Sequence, residues 1–199
     1  MRHCLLAAAL LLLSVCTGLT QPSANSRPQA RTWRQVATEA DRTRLRDWRR
    51  AWTEALRAAN AACSSAPSRA IAALPGPAIP NGTYRCRLTK LGARTPGLLD
   101  YVAYPAFACR VRQEGEVQGF AKLTGSQRQA GLLFPHDGLR SVFLGTLILG
   151  DETRAMQYGA DSERDVAGYL ERVGPGRWRV VMPYPRFESL VDVLELVPA

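Results

Sequence analysis

The chain has 199 residues, a net charge of +9 and a pI near 9.9. That length suits one ordinary domain able to bury its own core. It carries two histidines and no long apolar stretch after its first residues, which excludes a multi-histidine metal site and a transmembrane helix in the body of the chain.

Met1-Arg2-His3 supplies a positive start, Leu5 to Val15 is an apolar run broken only by Ser14, and small or polar residues follow from Thr17. An apolar run of about a dozen residues is too short for a bilayer core of about 30 Å, so residues 1–20 are predicted to be an export signal. Leu13-Ser14-Val15-Cys16 resembles a bacterial lipoprotein processing site, after which Cys16 would bear lipid. Val15 departs from the small residue usual there, and ordinary cleavage near Thr17 to Gln21 is the competing expectation. The product is expected to be periplasmic or secreted, and anchored to the envelope by lipid if Cys16 is modified. Residues 21–31 offer little to bury and read as a disordered tether ahead of one domain over 32–199.

From Thr38 to about Ala61 the chain lacks Gly and Pro, and Leu45, Trp48, Trp52, Ala55, Leu56 and Ala59 recur at three and four residues. This predicts one amphipathic helix, capped by Thr38 with Asp41 three residues on. Trp48 and Trp52 are expected to pack on the domain; the alternative is a stacking platform for a ligand. Pro67, Pro75, Pro77 and Pro80 make residues 64–82 a connector, with one short turn at Ser68 to Ala73.

Nine extended runs follow: 83–91, 99–112, 117–124, 128–134, 141–149, 155–159, 165–173, 177–182 and 189–197. Their short Gly-, Pro- and Asp-rich gaps join antiparallel neighbours, and eight or nine such strands close best as an up-and-down barrel. The apolar run 142–149 predicts a strand covered on both faces, with the helix across the wall or in the mouth nearby. Alternation turns Tyr84, Cys86 and Leu88 inward, with Phe107, Cys109 and Val111, and turns Arg85, Arg87, Arg110 and Arg112 outward. Cys86 and Cys109 are predicted to form a disulfide across directly opposed positions, with Cα atoms about 4.5 Å apart. Cys63 is then left near a helix end as a small apolar residue, or else as a reactive or dimer-forming thiol.

The basic charge is almost all arginine, with Lys90 and Lys122 the only lysines. Residues 27–60 carry +5, whereas residues 136–199 carry −3. An exported chain without basic surfaces interleaved with stacking aromatics does not point to nucleic acid. The charge points instead to an anionic envelope component, a lipid headgroup or polysaccharide, or to another envelope protein.

His136 in Pro135-His136-Asp137-Gly138 reads as a solvated turn residue, with no Gly-x-Ser-x-Gly elbow to serve. Asp161, Glu163 and Asp165 form an acidic patch expected to face arginines; the catalytic alternative is a carboxylate-based hydrolase drawing on Glu171 or Glu188. Gly125-Ser126-Gln127-Arg128 offers N–H groups and Arg128 to an anion, at a place where a hairpin turn is needed anyway. The row Arg85, Arg87, Arg110 and Arg112 is the stronger binding candidate, because guanidinium groups grip carboxylates and phosphates in forked geometry.

Tyr84-Arg85-Cys86-Arg87, Lys90-Leu91-Gly92, residues 122–128, Phe143-Leu144-Gly145-Thr146, Arg177-Trp178-Arg179 and residues 185–189, with the Trp48 and Trp52 helix, resemble an exported bacterial family known only as domain of unknown function 4893. The resemblance covers Trp33 to Ala199 and implies no activity. A looser similarity to lipocalin barrels implies a carrier of a small apolar ligand, although Tyr84 stands where those proteins have tryptophan. The expected protein is mainly β, an antiparallel up-and-down lipocalin-like barrel of 8–9 strands with one N-terminal helix. It is expected to be a non-enzymatic binding module with no metal or cofactor.

Overall fold

Short gaps and period-two alternation produce a barrel of eight strands: β1 Gly82–Ala93, β2 Tyr101–Glu114, β3 Val117–Lys122, β4 Gln127–Pro135, β5 Arg140–Leu149, β6 Asp165–Gly174, β7 Arg177–Pro183 and β8 Ser189–Pro198. The structure is a computed structural model and describes residues 31–63, 72–76 and 78–199. The expected leader with Cys16, nearly all of the tether and the middle of the connector, with most of the turn at Ser68 to Ala73, lie outside the described residues. Every strand pairs antiparallel with the next, and β1 closes the barrel on β8 from Tyr84–Pro198 to Ala93–Ser189.

The inward residues form one apolar cluster that includes Tyr84, Leu88, Phe120, Phe143, Trp178 and Leu194. Tyr84 meets Trp178 edge to face at 6.1 Å, and Phe120 meets Phe143 at 5.6 Å. A carrier would need this centre open; it is filled by side chains, with Phe107 packed against the same cluster. Backbones approach closely where Gly131 of β4 opposes Gly145 of β5: a Cβ on Gly131 would lie 2.2 Å from the Leu144 carbonyl oxygen. No side chain fits between backbones that close.

Cys86 and Cys109 are bonded, but not as a directly opposed pair. Tyr84 faces Cys109 and Cys86 faces Phe107, so the bridge runs diagonally with Cα atoms 6.0 Å apart. The predicted spacing was that of an opposed pair; the register is shifted by two residues, which keeps both thiols inside. The same strand pair shifts register between Arg87 and Thr89, and Pro105, which has no N–H to donate, lies opposite that shift.

One helix was expected, and the described residues hold three: α1 Trp33–Val36, α2 Glu39–Arg46 and α3 Trp48–Ala62. Thr38 caps α2 by accepting the Asp41 N–H at 3.2 Å, as the sequence indicates. The predicted continuous helix breaks at Asp47, which ends α2 and begins α3. The break lets Leu45 join Tyr169 and Val142 on one part of the wall while Ala51, Trp52, Ala55 and Ala59 cover Leu91, Val181 and Val191 on another. Helices lie along the wall; from the described part of the connector, Ile79 is buried in the barrel cluster and its carbonyl accepts from Gln118 Nε2.

The expected strand at 155–159 is absent. Residues 150–164 are an irregular loop in which Tyr158 donates to Asp41 Oδ2 at 2.6 Å and accepts the Thr38 N–H at 3.1 Å. These bonds tie the segment to α2 and leave it no strand to pair with.

Candidate functional site

Alternation on β1 and β2 places Arg85, Arg87, Arg110 and Arg112 together on the exposed outer face. Towards the β2–β3 side their cross-strand neighbours are small, with Ala108 opposite Arg85, Ala106 opposite Arg87, Ala121 opposite Arg110 and Gly119 opposite Arg112; towards β8, Arg85 faces Val197 and Arg87 faces Glu195, which pairs with Arg177. The guanidinium groups of Arg85, Arg87 and Arg110 make no hydrogen bond or ion pair among the described residues, whereas Arg112 pairs with Glu114. Arg110, Arg112 and Glu114 line a shallow groove of about 140 Å³ floored by Gly119, Ala121, Ala130 and Gly131, with the Glu114 side chain over Gly119.

Arg128 does not join this row. Its guanidinium donates to the Gly150 and Glu152 carbonyl oxygens at 2.9 and 2.7 Å, fastening the β5–β6 loop. The acids behave as ion-pair partners: Asp161 faces Arg164 at 3.4 Å, Glu163 pairs with Arg186, and Asp165 is buried and accepts the Gly159 N–H. Burial raises the Asp165 carboxyl above its ordinary range. Glu171 is likewise engaged, at 2.7 Å from both Arg140 and Arg179.

His136 departs from the expected solvated turn. It is half-buried, accepts from Trp33 Nε1 at 3.3 Å, and lies 5.8 Å from the Tyr169 ring, so it docks α1 on the barrel. Trp52 is buried and Trp48 contacts Tyr169 at 5.7 Å. Arg179 lies over Trp52, and Arg49 and Arg140 lie over Trp48, and both rings also line a cavity of about 450 Å³. Cys63 ends α3 and packs half-buried against the Trp52 cluster.

The feature that sequence reasoning missed lies inside the barrel, at the end bearing loops 94–100, 123–126, 150–164 and 184–188. Both lysines are there, Lys90 at 4% and Lys122 at 3% exposure, beside buried Asp192 and Gln129. Lys90 Nζ lies 3.2 Å from Asp192 Oδ2 and 3.5 Å from Glu188 Oε2, and Ser189 donates to Asp192. Lys122 Nζ donates to the Gln127 carbonyl at 2.7 Å and sits 3.7 Å over the Phe107 ring. Burial first, then the charges of Lys90 and Arg128, push the Lys122 amine down to about 8. Burial also holds the Asp192 carboxyl above the carboxylate range, against the opposing pull of Lys90 and Ser189. The turn pressed over this cluster needs Gly125: its φ is +92°, and a Cβ there would lie 2.9 Å from Lys122 Nζ.

The domain of unknown function (DUF4893) matches residues 33–196. The chain belongs to this family. Comparison with curated proteins and with solved structures found no match. The family description assigns no activity, so the reading of this DUF4893 domain rests on its own residues. The lysines carried a usable signal. Lys90 shares the parity of Cys86 and Leu88, and Lys122 that of Phe120, which are the inward positions of their strands.

Proposed function

We propose that this DUF4893 domain is a non-enzymatic binding module of the bacterial envelope that takes an anionic partner on its arginine face. One observation carries the reading: Arg85, Arg87 and Arg110 stand exposed and unpaired among the described residues, on one outer face. Arginines elsewhere, such as Arg44, Arg140 and Arg164, are ion-paired. Forked guanidinium donors suit carboxylate or phosphate groups. None of the exposed large apolar residues projects from β1, β2 or β3, so the face favours a solvated polyanion such as a surface polysaccharide over insertion among lipids. Residence in an oxidising envelope is supported by the leader-like start of the sequence and by the Cys86–Cys109 bond.

Binding to polygalacturonate and to phosphatidylglycerol vesicles, each at low and high salt, tests this. The wild-type protein is expected to bind the polyanion, more weakly at high salt, and an Arg85→Gln, Arg87→Gln, Arg110→Gln variant to lose about tenfold or more in affinity. Equal binding by that variant overturns the reading; binding to vesicles alone reassigns the partner to a headgroup layer. Mass spectrometry of the protein from its native envelope reports the mature N-terminus and any lipid on Cys16.

A further inference from the structure

The interior lysine cluster is independent of the arginine face and holds charge where a barrel core normally holds none. Two ammonium groups, Lys90 and Lys122, are buried against a single buried carboxylate, Asp192. Among the described residues Lys122 has one hydrogen-bond acceptor, the Gln127 carbonyl, for three N–H groups. Its remaining N–H groups suit an incoming acceptor that carries negative charge.

The molecule supplies a partial substitute. Glu188 of loop 184–188 reaches the cluster from the rim, 3.5 Å from Lys90 and with Oε1 accepting from Gln127 Nε2 at 3.3 Å. It is exposed, and its backbone φ of +70° is unusual for a residue with a side chain. A carboxylate thus reaches this place but is held loosely and at a backbone cost. The loops at the same end also carry Leu98, Leu99, Leu123 and Phe187, half of the exposed large apolar side chains among the described residues.

We propose that this end of the barrel binds an amphiphilic carboxylate, such as a medium-chain fatty acid. Its carboxylate replaces Glu188 at Lys90 and takes N–H groups of Lys122, and its apolar body lies across the rim loops. The body stays at the rim because the interior below is filled by Leu88, Phe143 and Leu194. No bond is made or broken. Glu188 swings to solvent as the ligand carboxylate enters.

Calorimetric titration of the intact protein with laurate, dodecanol and acetate tests this. Laurate is expected to bind at least tenfold more tightly than dodecanol, which lacks the charge, or acetate, which lacks the body. Glu188→Gln removes the competing carboxylate and is expected to tighten laurate about tenfold; Lys122→Gln is expected to weaken it about tenfold or more. Because Lys122 is buried and its variant is open to folding defects, the exposed Glu188→Gln is the decisive substitution. Laurate binding unchanged by Glu188→Gln, matched by dodecanol, or absent overturns the proposal. The arginine-face variant is expected to bind laurate like wild type, which separates failure here from failure of the polyanion reading.

Discussion

At the scale of single residues, Lys122 is the clearest case of a group kept where it costs stability. Its amine is pushed to about 8 in the folded protein, and unfolding returns it to the ordinary 10.5. Between these values the unfolded chain holds a proton that the folded chain has released, so stability rises with pH across the window. The penalty is complete below pH 8 and relieved by pH 10.5, a difference of about 3 kcal/mol. Lys90 and Arg128 oppose its charge and Asp192 supports it. Lys122→Met is therefore expected to be more stable than wild type at pH 7 and to lack the rise between pH 8 and 10. Urea midpoints at pH 7, 9 and 10 check this, and a wild-type stability that falls relative to the variant over that range refutes it. A charge retained at such cost fits a binding role better than a packing role. Its position was legible: the alternation that turns Cys86 inward also turns Lys90 inward, and Phe120 does the same for Lys122. Glu188 was not legible in this way, because a left-handed loop residue obeys no strand period.

Among the elements, the helices show where local pattern stops being sufficient. The three-four spacing of Leu45, Trp48, Trp52 and Ala59 was readable, and so was the Thr38 cap. The break at Asp47 was not, since nothing local forbids a helix there; it follows from a wall that curves between Tyr169 and Val191. Likewise 155–159 looks extended in isolation, yet Tyr158 bonds to α2. Beside α3, buried Glu171 accepts from half-buried Arg140 and buried Arg179, each at 2.7 Å, next to Trp48 and Trp52. Ion pairs of this kind add little net stability while complete but cost much when halved. Glu171→Ala, which removes the carboxylate both guanidinium groups share, is expected to lower unfolding free energy by about 3–5 kcal/mol, measured by chemical denaturation. A loss under about 1 kcal/mol would show that water reaches the pair and that α3 does not seal the wall.

For the whole molecule, closure and cross-linking are separate devices. The barrel closes along β1 and β8, where nine residue pairs run from Tyr84–Pro198 to Ala93–Ser189. The disulfide lies on the other side of β1, joining it to β2, so it shortens a local loop and does not hold the seam. Hairpin order was readable because nearly every gap is too short for a crossover, the 150–164 loop being the exception, and closure was the arrangement that leaves a long meander no exposed edges. The diagonal register was not readable: both Cys86–Cys109 opposition and a shift of two residues keep the thiols inward, and period two cannot tell them apart. The cross-link spans a separation of 23 residues, for which chain entropy gives about 3 kcal/mol. A Cys86→Ser, Cys109→Ser variant is expected to lose about that much in denaturant while keeping its far-ultraviolet β spectrum, because the β1–β8 ladder is untouched. Loss of the β spectrum itself would mean that the seam depends on the bridge, and that the eight strands cannot find their closed register without it.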